Sequence, residues 1–503
     1  MEVNYTPVFI FKSLNIVRGG LTKAILTRAN TLIKYYNQVY ILTLSFQPDF
    51  EDILQELYST GRLDKRVQVF NCFHDLSKKV GDNKVDIKEP KNNIIKEEGL
   101  YEFIDKGNEL PSYRYYKNGV YIKYKRFDKK GRLVFVDYMS ESRNRTRRDE
   151  YDKNGYLVCS QFMDPINNSP RLKSYYAKNG KCYMTVWIDD YTKKEGRSLL
   201  YEPTCHEFKS LYKLFTFWVQ EKLEDIENPV AFSDSRFSDG LVLDLKVENI
   251  KRVAVLHNNH YSWPYNTRAD TKQTWKSFLN RIHEYDKVIF LTNDQKKDIG
   301  TLVGNLPTFD VIPHAVPEMK VATVEKYNPK LVVYLARFES QKRIDEAIKA
   351  FKYVVKKIPD AQLHIYGFGP QKVKLEALIE ELNLKKNIML QEFTNAASAV
   401  YQSAACSILT SDYEGFGMVI TESMAVGTPV VSYNCKYGPS DIIRDGIDGF
   451  LVPCRNKKKL AEKVVKILSD DDTRNQLSKN ALEVNERFNY QKYEERWIRA
   501  INS

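Results

Sequence analysis

The side chains best suited to chemistry lie in the last third of a 503-residue chain, each just past an apolar run that reads as a strand. Arg337 and Lys342 follow Leu331-Val332-Val333-Tyr334-Leu335. Two cations on a strand-to-helix loop can neutralise a diphosphate without a metal. As plain surface charge they would oppose the helix macrodipole, so a ligand role is favoured. Past the strand expected at 362–366 come Gly367-Phe368-Gly369-Pro370. Glycines there admit close approach by a ligand and Pro370 suits a first helical turn, although a plain turn fits equally well. Then comes Asp412-Tyr413-Glu414-Gly415-Phe416-Gly417-Met418-Val419-Ile420-Thr421-Glu422. Glu414 falls in the loop and Glu422 in the second helical turn. The first suits a sugar hydroxyl and the second a ribose. The amides of Phe416, Gly417 and Met418 suit a phosphate.

The elements that must hold these residues alternate. Val8–Phe11, a turn with Gly19 and Gly20, an apolar stripe from Leu21 to Ile33 at helical spacing, and Val39–Leu44 form a parallel βαβ unit. Strands at Val253–Leu256 (ending at His257), Lys287–Leu291 and Asp310–Pro313 resume this texture. A second α/β region begins at Leu331. Its helices are expected at 343–358, 370–382 and 418–427, and its strands at 362–366, 388–393, 406–410 and 429–433. Such alternation implies parallel sheets covered on both faces, with ligands at the carboxyl ends of the strands.

Between about 76 and 205 the pattern changes. Lys96 to Ile104 reads as a short helix. Four Lys-Asn-Gly or Lys-Lys-Gly turns follow, at 117–119, 129–131, 153–155 and 178–180, between alternating strands. Asn-Gly is a hairpin turn, so this stretch is an antiparallel β-meander inserted into the first α/β domain. Its many tyrosines are assigned to cross-strand packing.

Composition narrows the class. The chain is 43% apolar and 28% charged, which excludes a disordered or fibrous protein. No run of 18 apolar residues and no secretory leader pattern is visible. Seven scattered cysteines without a C-x-x-C pair argue against a disulfide framework or structural zinc and fit a reducing cytosol. Asp189-Asp190 lies in the β-rich stretch and Asp470-Asp471-Asp472 near a helix start, where Asp caps well, and no metal is expected. The net charge of +12 admits a polyanionic partner.

The motifs R-x-x-x-x-K (Arg337, Lys342), G-x-G-P (Gly367 to Pro370) and E-G-F-G-x-x-x-x-E (Glu414 to Glu422) resemble those of retaining GT-B glycosyltransferases of glycosyltransferase family 4. The likeness extends through Ala425–Val431, Tyr437–Ile443 and Asp448–Pro453, with Gly19-Gly20 and His257 in the first half. The meander and the runs His257-Asn258-Asn259-His260 and Lys436–Asp441 look like wall teichoic acid α-glycosyltransferases of the TarM/TagE type.

The resemblance implies two Rossmann-like domains. An acceptor domain would span 1–75 and 206–320, with a terminal helix at about 488–503 packing back on it. The meander would occupy 76–205, and a donor-nucleotide domain 325–487 after a linker at 320–329. The activity implied is transfer of glucose or N-acetylglucosamine from a UDP-sugar, with retention, onto a polyol-phosphate polymer, with poly(glycerol phosphate) preferred. Transfer to Ser/Thr of a serine-rich surface protein, or a UDP-sugar epimerase, are the alternatives. Arg337 and Lys342 would hold the diphosphate, Glu414 the sugar and Glu422 the ribose. Gly19, Gly20, Gly367, Gly369, Phe416, Gly417 and Met418 would line the donor, with His257 beside the reacting sugar. Acceptor residues are unassigned, with His260 as a candidate. His314 is assigned to a connecting loop. Arg143, Arg145, Arg147 and Arg148 could track phosphates, a solvated loop being the default. No cofactor, metal or nucleic acid is implied. A cytoplasmic homotrimer formed through the meander, touching the membrane peripherally, is implied.

Overall fold

The computed structural model describes residues 5–16, 20–81, 94–202, 204–316 and 327–503. By contact density the chain forms two compact units.

One unit runs from Thr6 to Ala231, with Leu241–Ile250. Its strands β1 (Thr6–Phe11), β2 (Tyr40–Thr43) and β3 (Gln68–Asn71) pair parallel in that order. Strand β1 is wholly buried and β2 nearly so, whereas β3 carries only Val69 and Phe70 between polar ends. Helix Gly20–Leu32 connects β1 to β2, so Gly20 opens the first helix; Gly19 lies outside the described residues.

The meander is a ten-stranded antiparallel sheet in sequence order. Its strands are β4 (Tyr101–Ile104), β5 (Ser112–Lys117), β6 (Val120–Phe127), β7 (Leu133–Met139) and β8 (Arg145–Tyr151), followed by β9 (Leu157–Met163), β10 (Pro170–Tyr176), β11 (Cys182–Ile188), β12 (Glu195–Leu200) and β13 (His206–Phe208). Gly119, Gly131, Gly155 and Gly180 all take the positive φ that these turns require. Tyrosines meet across strands, as Tyr116 and Tyr121 do with ring centres 5.4 Å apart. The sheet is anchored by Tyr175 on Phe46 and Phe73 and by the Tyr183 hydroxyl donating to the Phe73 carbonyl at 3.1 Å.

One expectation fails here. Lys96 to Ile104 is not a helix, since Tyr101–Ile104 is the edge strand β4, paired with β5 from Tyr101 opposite Tyr116 to Ile104 opposite Tyr113. Alternating Tyr101 and Phe103 satisfy a pleat, and the aromatic ring of Phe103 meets Tyr116 at 5.4 Å.

The other unit contains Phe232–Gly240 and Lys251–Ser503. Strand β14 (Pro229–Ser233) leads into it. Strands β15 (Lys251–Leu256), β16 (Lys287–Phe290) and β17 (Phe309–Val311) pair parallel in that order. A second parallel sheet comprises β18 (Asn328–Leu335), β19 (Gln362–Tyr366), β20 (Ile388–Gln391), β21 (Ala404–Leu409), β22 (Val430–Tyr433) and β23 (Gly449–Val452), ordered β20-β19-β18-β21-β22-β23. Pro329 of the expected linker belongs to β18, while 320–326 fall outside the described residues. The order reverses between β18 and β21, the switch point at which open α/β sheets bind ligands.

The terminal helix Tyr490–Asn502 packs Trp497 on Phe232 at 5.8 Å and receives the Lys251 ammonium on the Ile501 carbonyl at 2.7 Å. No described helix is long and apolar enough to cross a membrane. Asp470 caps helix Asp471–Ala481 by accepting from the Thr473 amide, and Asp189 accepts from the amides of Tyr191 and Thr192.

Candidate active site

The loops leaving β18 and β21, adjacent parallel strands, are tied together. The Asp412 amide donates to the Gln341 carbonyl at 2.9 Å, and the Gln341 side chain donates to the Tyr413 carbonyl at 2.8 Å. The Tyr334 hydroxyl donates to the Lys342 carbonyl at 2.6 Å, and Thr410 Oγ1 donates to the Arg343 carbonyl at 2.8 Å. Lys342 ends a 3-10 turn, Ser340–Lys342, ahead of helix Ile344–Lys357.

This zipper sets Lys342 Nζ 2.6 Å from Glu414 Oε1, with both side chains nearly buried. Ser411, fully buried, donates to the same oxygen at 2.6 Å. Among the described residues Oε2 accepts nothing, so the carboxylate is held by one oxygen and presents the other. Arg337 is half-exposed, its guanidinium 4.0 Å from Glu339. Gly417 precedes helix Met418–Met424 at φ 89° without a side-chain cap. The amides of Phe416, Gly417 and Met418 donate to no acceptor among the described residues, as a helix start expects. Glu422 lies in the second turn of that helix.

The Phe416 ring itself is buried core, edge-on to His314 at 5.5 Å, so only its backbone is available to a ligand. Gly367 and Gly369 serve the neighbouring loop. A Cβ on Gly367 would lie 1.9 Å from the Ala336 carbonyl oxygen, and one on Gly369 2.7 Å from that of Phe338. These glycines let the Arg337 loop lie flat on the loop after β19, clasped by the Phe338 amide on the Phe368 carbonyl at 2.8 Å.

His257, directly after β15, gives its Nε2 to Asp234 Oδ1 at 2.7 Å and stacks on His314 at 5.6 Å. The His314 ring therefore lies against His257. Gly415 abuts the His257 backbone, and a Cβ there would lie 1.9 Å from the His257 carbonyl oxygen. Asp234 and Ser411 escaped the sequence reading. The available signal was positional, because Asp234 follows an apolar strand as His257 does.

His260 is fully buried, stacked parallel to Tyr437 at 5.9 Å, with Nε2 unpartnered among the described residues. Burial lowers its pKa to about 4, with nearby Asp298 opposing and Lys272 and Lys436 assisting. It is a core histidine and not a surface that an acceptor could reach. Because the folded pKa lies below the ordinary value of about 6.5, stability is full above pH 6.5. It should fall by about 3 kcal/mol as pH drops toward 4. Denaturant titrations at pH 7 and pH 4.5 measure this slope. His260→Phe should flatten it, and an unchanged slope would remove the assignment.

Among the described residues no group of three or more His, Cys, Asp or Glu side chains is arranged to hold a metal. The chain matches the family models "Glycosyl transferases group 1" over residues 316–484 and "Glycosyl transferase 1 domain A" over 8–197. With the parallel sheets and this strand-end site, it belongs to the glycosyltransferases of the GT-B fold.

More particularly, it is 29% identical to the Bacillus subtilis poly(glycerol-phosphate) alpha-glucosyltransferase across 98% of this chain and 74% of that one. It is 25% identical to the Staphylococcus aureus poly(ribitol-phosphate) alpha-N-acetylglucosaminyltransferase, across 97% and 98%. The S. aureus TarM structure in complex with fondaparinux, alpha-GlcNAc-glycerol and UDP superposes with a TM-score of 0.86 at 22% identity over the full length of both chains.

Proposed function

We propose that this protein transfers glucose or N-acetylglucosamine, α-linked and with retention, from a UDP-sugar to a polyol-phosphate wall teichoic acid. Poly(glycerol phosphate) with glucose is the favoured pairing, supported by the likeness to the B. subtilis enzyme across 98% of this chain. The observation that carries the chemistry is the Lys342–Glu414 pair beside unpartnered helix amides.

In this reading the bond between the anomeric carbon and the β-phosphate oxygen breaks as the acceptor hydroxyl attacks from the same face. The hydroxyl proton passes to the departing phosphate oxygen. Negative charge grows on that phosphate, where Arg337, Lys342 and the amides of Phe416, Gly417 and Met418 meet it. Oε2 of Glu414 holds a sugar hydroxyl, Glu422 the ribose, and His257, fixed by Asp234, lies beside the transferred sugar. Gly19 and Gly20 are assigned to donor binding, as the sequence resemblance implies. Since arginine and lysine carry the charge, no metal or cofactor is needed. The enzyme works in the cytoplasm, against the inner membrane face, as a trimer joined through the meander; light scattering reads the last point.

A donor-by-acceptor grid tests the reading, run in EDTA with the anomer assigned by NMR. UDP-glucose and UDP-N-acetylglucosamine are crossed with poly(glycerol phosphate), poly(ribitol phosphate) and a serine-rich peptide. The expected product is an α-linked hexose on a polymer. Transfer to the peptide alone, or interconversion of UDP-sugars without acceptor, would replace the proposal.

A further inference from the structure

The cations of this chain divide into those neutralised within the fold and those that are not. The arginine run of β8 is of the first kind. Arg148 grips Asp137 with two bonds of 2.7 Å and covers the Phe135 ring at 3.9 Å. Arg147 pairs with Asp149 at 3.0 Å over Tyr138, and Arg145 reaches Asp137 at 3.5 Å. Arg145, Arg147 and Arg148 are thus each committed to a carboxylate, whereas Arg143, just before β8, is exposed and forms no ion pair among the described residues.

The segment after His257 differs. Lys272 is half-buried, yet no carboxylate among the described residues pairs with it. Its ammonium donates to the Asn259 carbonyl at 2.7 Å and stands 4.4 Å from the Tyr413 ring centre and 5.5 Å from that of Tyr265. Burial holds its pKa below the usual lysine range. Arg268 and Lys276, in the same segment, also form no ion pair among the described residues. Desolvating an ammonium without a counter-charge is costly, and two ring faces with one carbonyl offset only part of that cost. The location is specific. Tyr413 directly precedes Glu414, its ring is 4.4 Å from that of Tyr265, and Lys272 belongs to the segment that begins at His257.

We propose that Lys272 is an acceptor-binding residue that receives a phosphodiester oxygen of the polyanionic acceptor, with Tyr265 and Tyr413 as its platform. The inference rests on the polyol-phosphate reading above. A diester is favoured over the donor diphosphate because the latter already has Arg337, Lys342 and the helix amides. An ammonium on a flexible stem suits a single negative charge, where bidentate geometry is not required.

Steady-state kinetics of the full chain with UDP-glucose and poly(glycerol phosphate), at low and high salt, test it. Lys272→Met should raise the polymer KM by about tenfold, leave the UDP-glucose KM within about twofold, and make the polymer KM less steep in salt. Lys272→Arg should recover most of the loss. If Lys272→Met does not fold, Lys272→Gln, which still donates to the Asn259 carbonyl, carries the same test. An unchanged polymer KM overturns the inference, as does a lowered kcat with both KM values unmoved, which marks a strut. A rise confined to the donor KM overturns it too. Wild-type protein inactive on every polyol-phosphate polymer defeats the underlying reading instead.

Discussion

Lys342→Ala is expected to lower kcat by about 10²–10³-fold, the usual cost of removing one donor aimed at developing negative charge. The substitution has a second effect that must be separated from the first. Glu414 is buried, and its Oε1 is shared by Lys342 and Ser411. Without the lysine a buried carboxylate keeps only the Ser411 hydroxyl, a loss of about 3 kcal/mol. Pairing Lys342→Met with Glu414→Gln removes both charges and should restore the melting temperature without restoring turnover. Arg337→Ala should also lower kcat strongly, but with little change in melting, because the Arg337 side chain is half-exposed. Melting curves beside kcat for all three variants decide the matter. Wild-type turnover in Lys342→Ala would end its assignment to the leaving group.

Much of this site was legible because its residues crowd onto strand ends, and strand ends follow apolar runs that are easily recognised. Arg337, Lys342, Glu414 and His257 all occur within a few residues of one. What the sequence could not show was direction. Gly367 and Gly369 read equally as room for a ligand or as a plain turn, and in the fold a Cβ at either would strike the backbone at Ala336 or Phe338. The spacing demanded glycine in both cases, and only the packing revealed which neighbour required it.

Charge is hard to read from sequence for a related reason. The run Arg143, Arg145, Arg147 and Arg148 reads by default as a solvated loop and otherwise as a track for phosphates, and the fold gives three of the four a carboxylate, on the neighbouring strand or two residues along the same one. Asp137 stands opposite Arg148 across β7 and β8, and Asp149 lies two residues from Arg147 on the same face. Lys272, one ordinary lysine in a polar stretch, carried no local sign of being buried without a partner. Asp234 was invisible for a similar reason, since its contact with His257 joins residues 23 positions apart.

Gly415→Ala should damage catalysis more than its single added methyl suggests. No positive φ is recorded for Gly415, so the conflict is spatial rather than conformational. The new Cβ would fall 1.9 Å from the His257 carbonyl oxygen, 2.7 Å from its carbon and 3.3 Å from the Asn258 amide nitrogen. All three are backbone atoms, and none can rotate away as a side chain does. The loop carrying Glu414 and the strand end carrying His257 must therefore part by roughly 1 Å. A displacement of that size between groups that act on one bond costs about 10²-fold in rate. Glu414 and Lys342 would move as one body, because their tie through Gln341, Asp412 and Tyr413 is independent of Gly415. The expected signature is a fall in kcat/KM of about 10²-fold with UDP affinity much less affected. Gly107→Ala is the control, since its Cβ would meet only the Asp105 carboxylate at 3.5 Å, an ordinary contact. That variant should match wild type in both rate and melting. If Gly415→Ala matched it as well, the approach of His257 to the Glu414 loop would have no part in catalysis, and His257 would lose its place beside the reacting sugar.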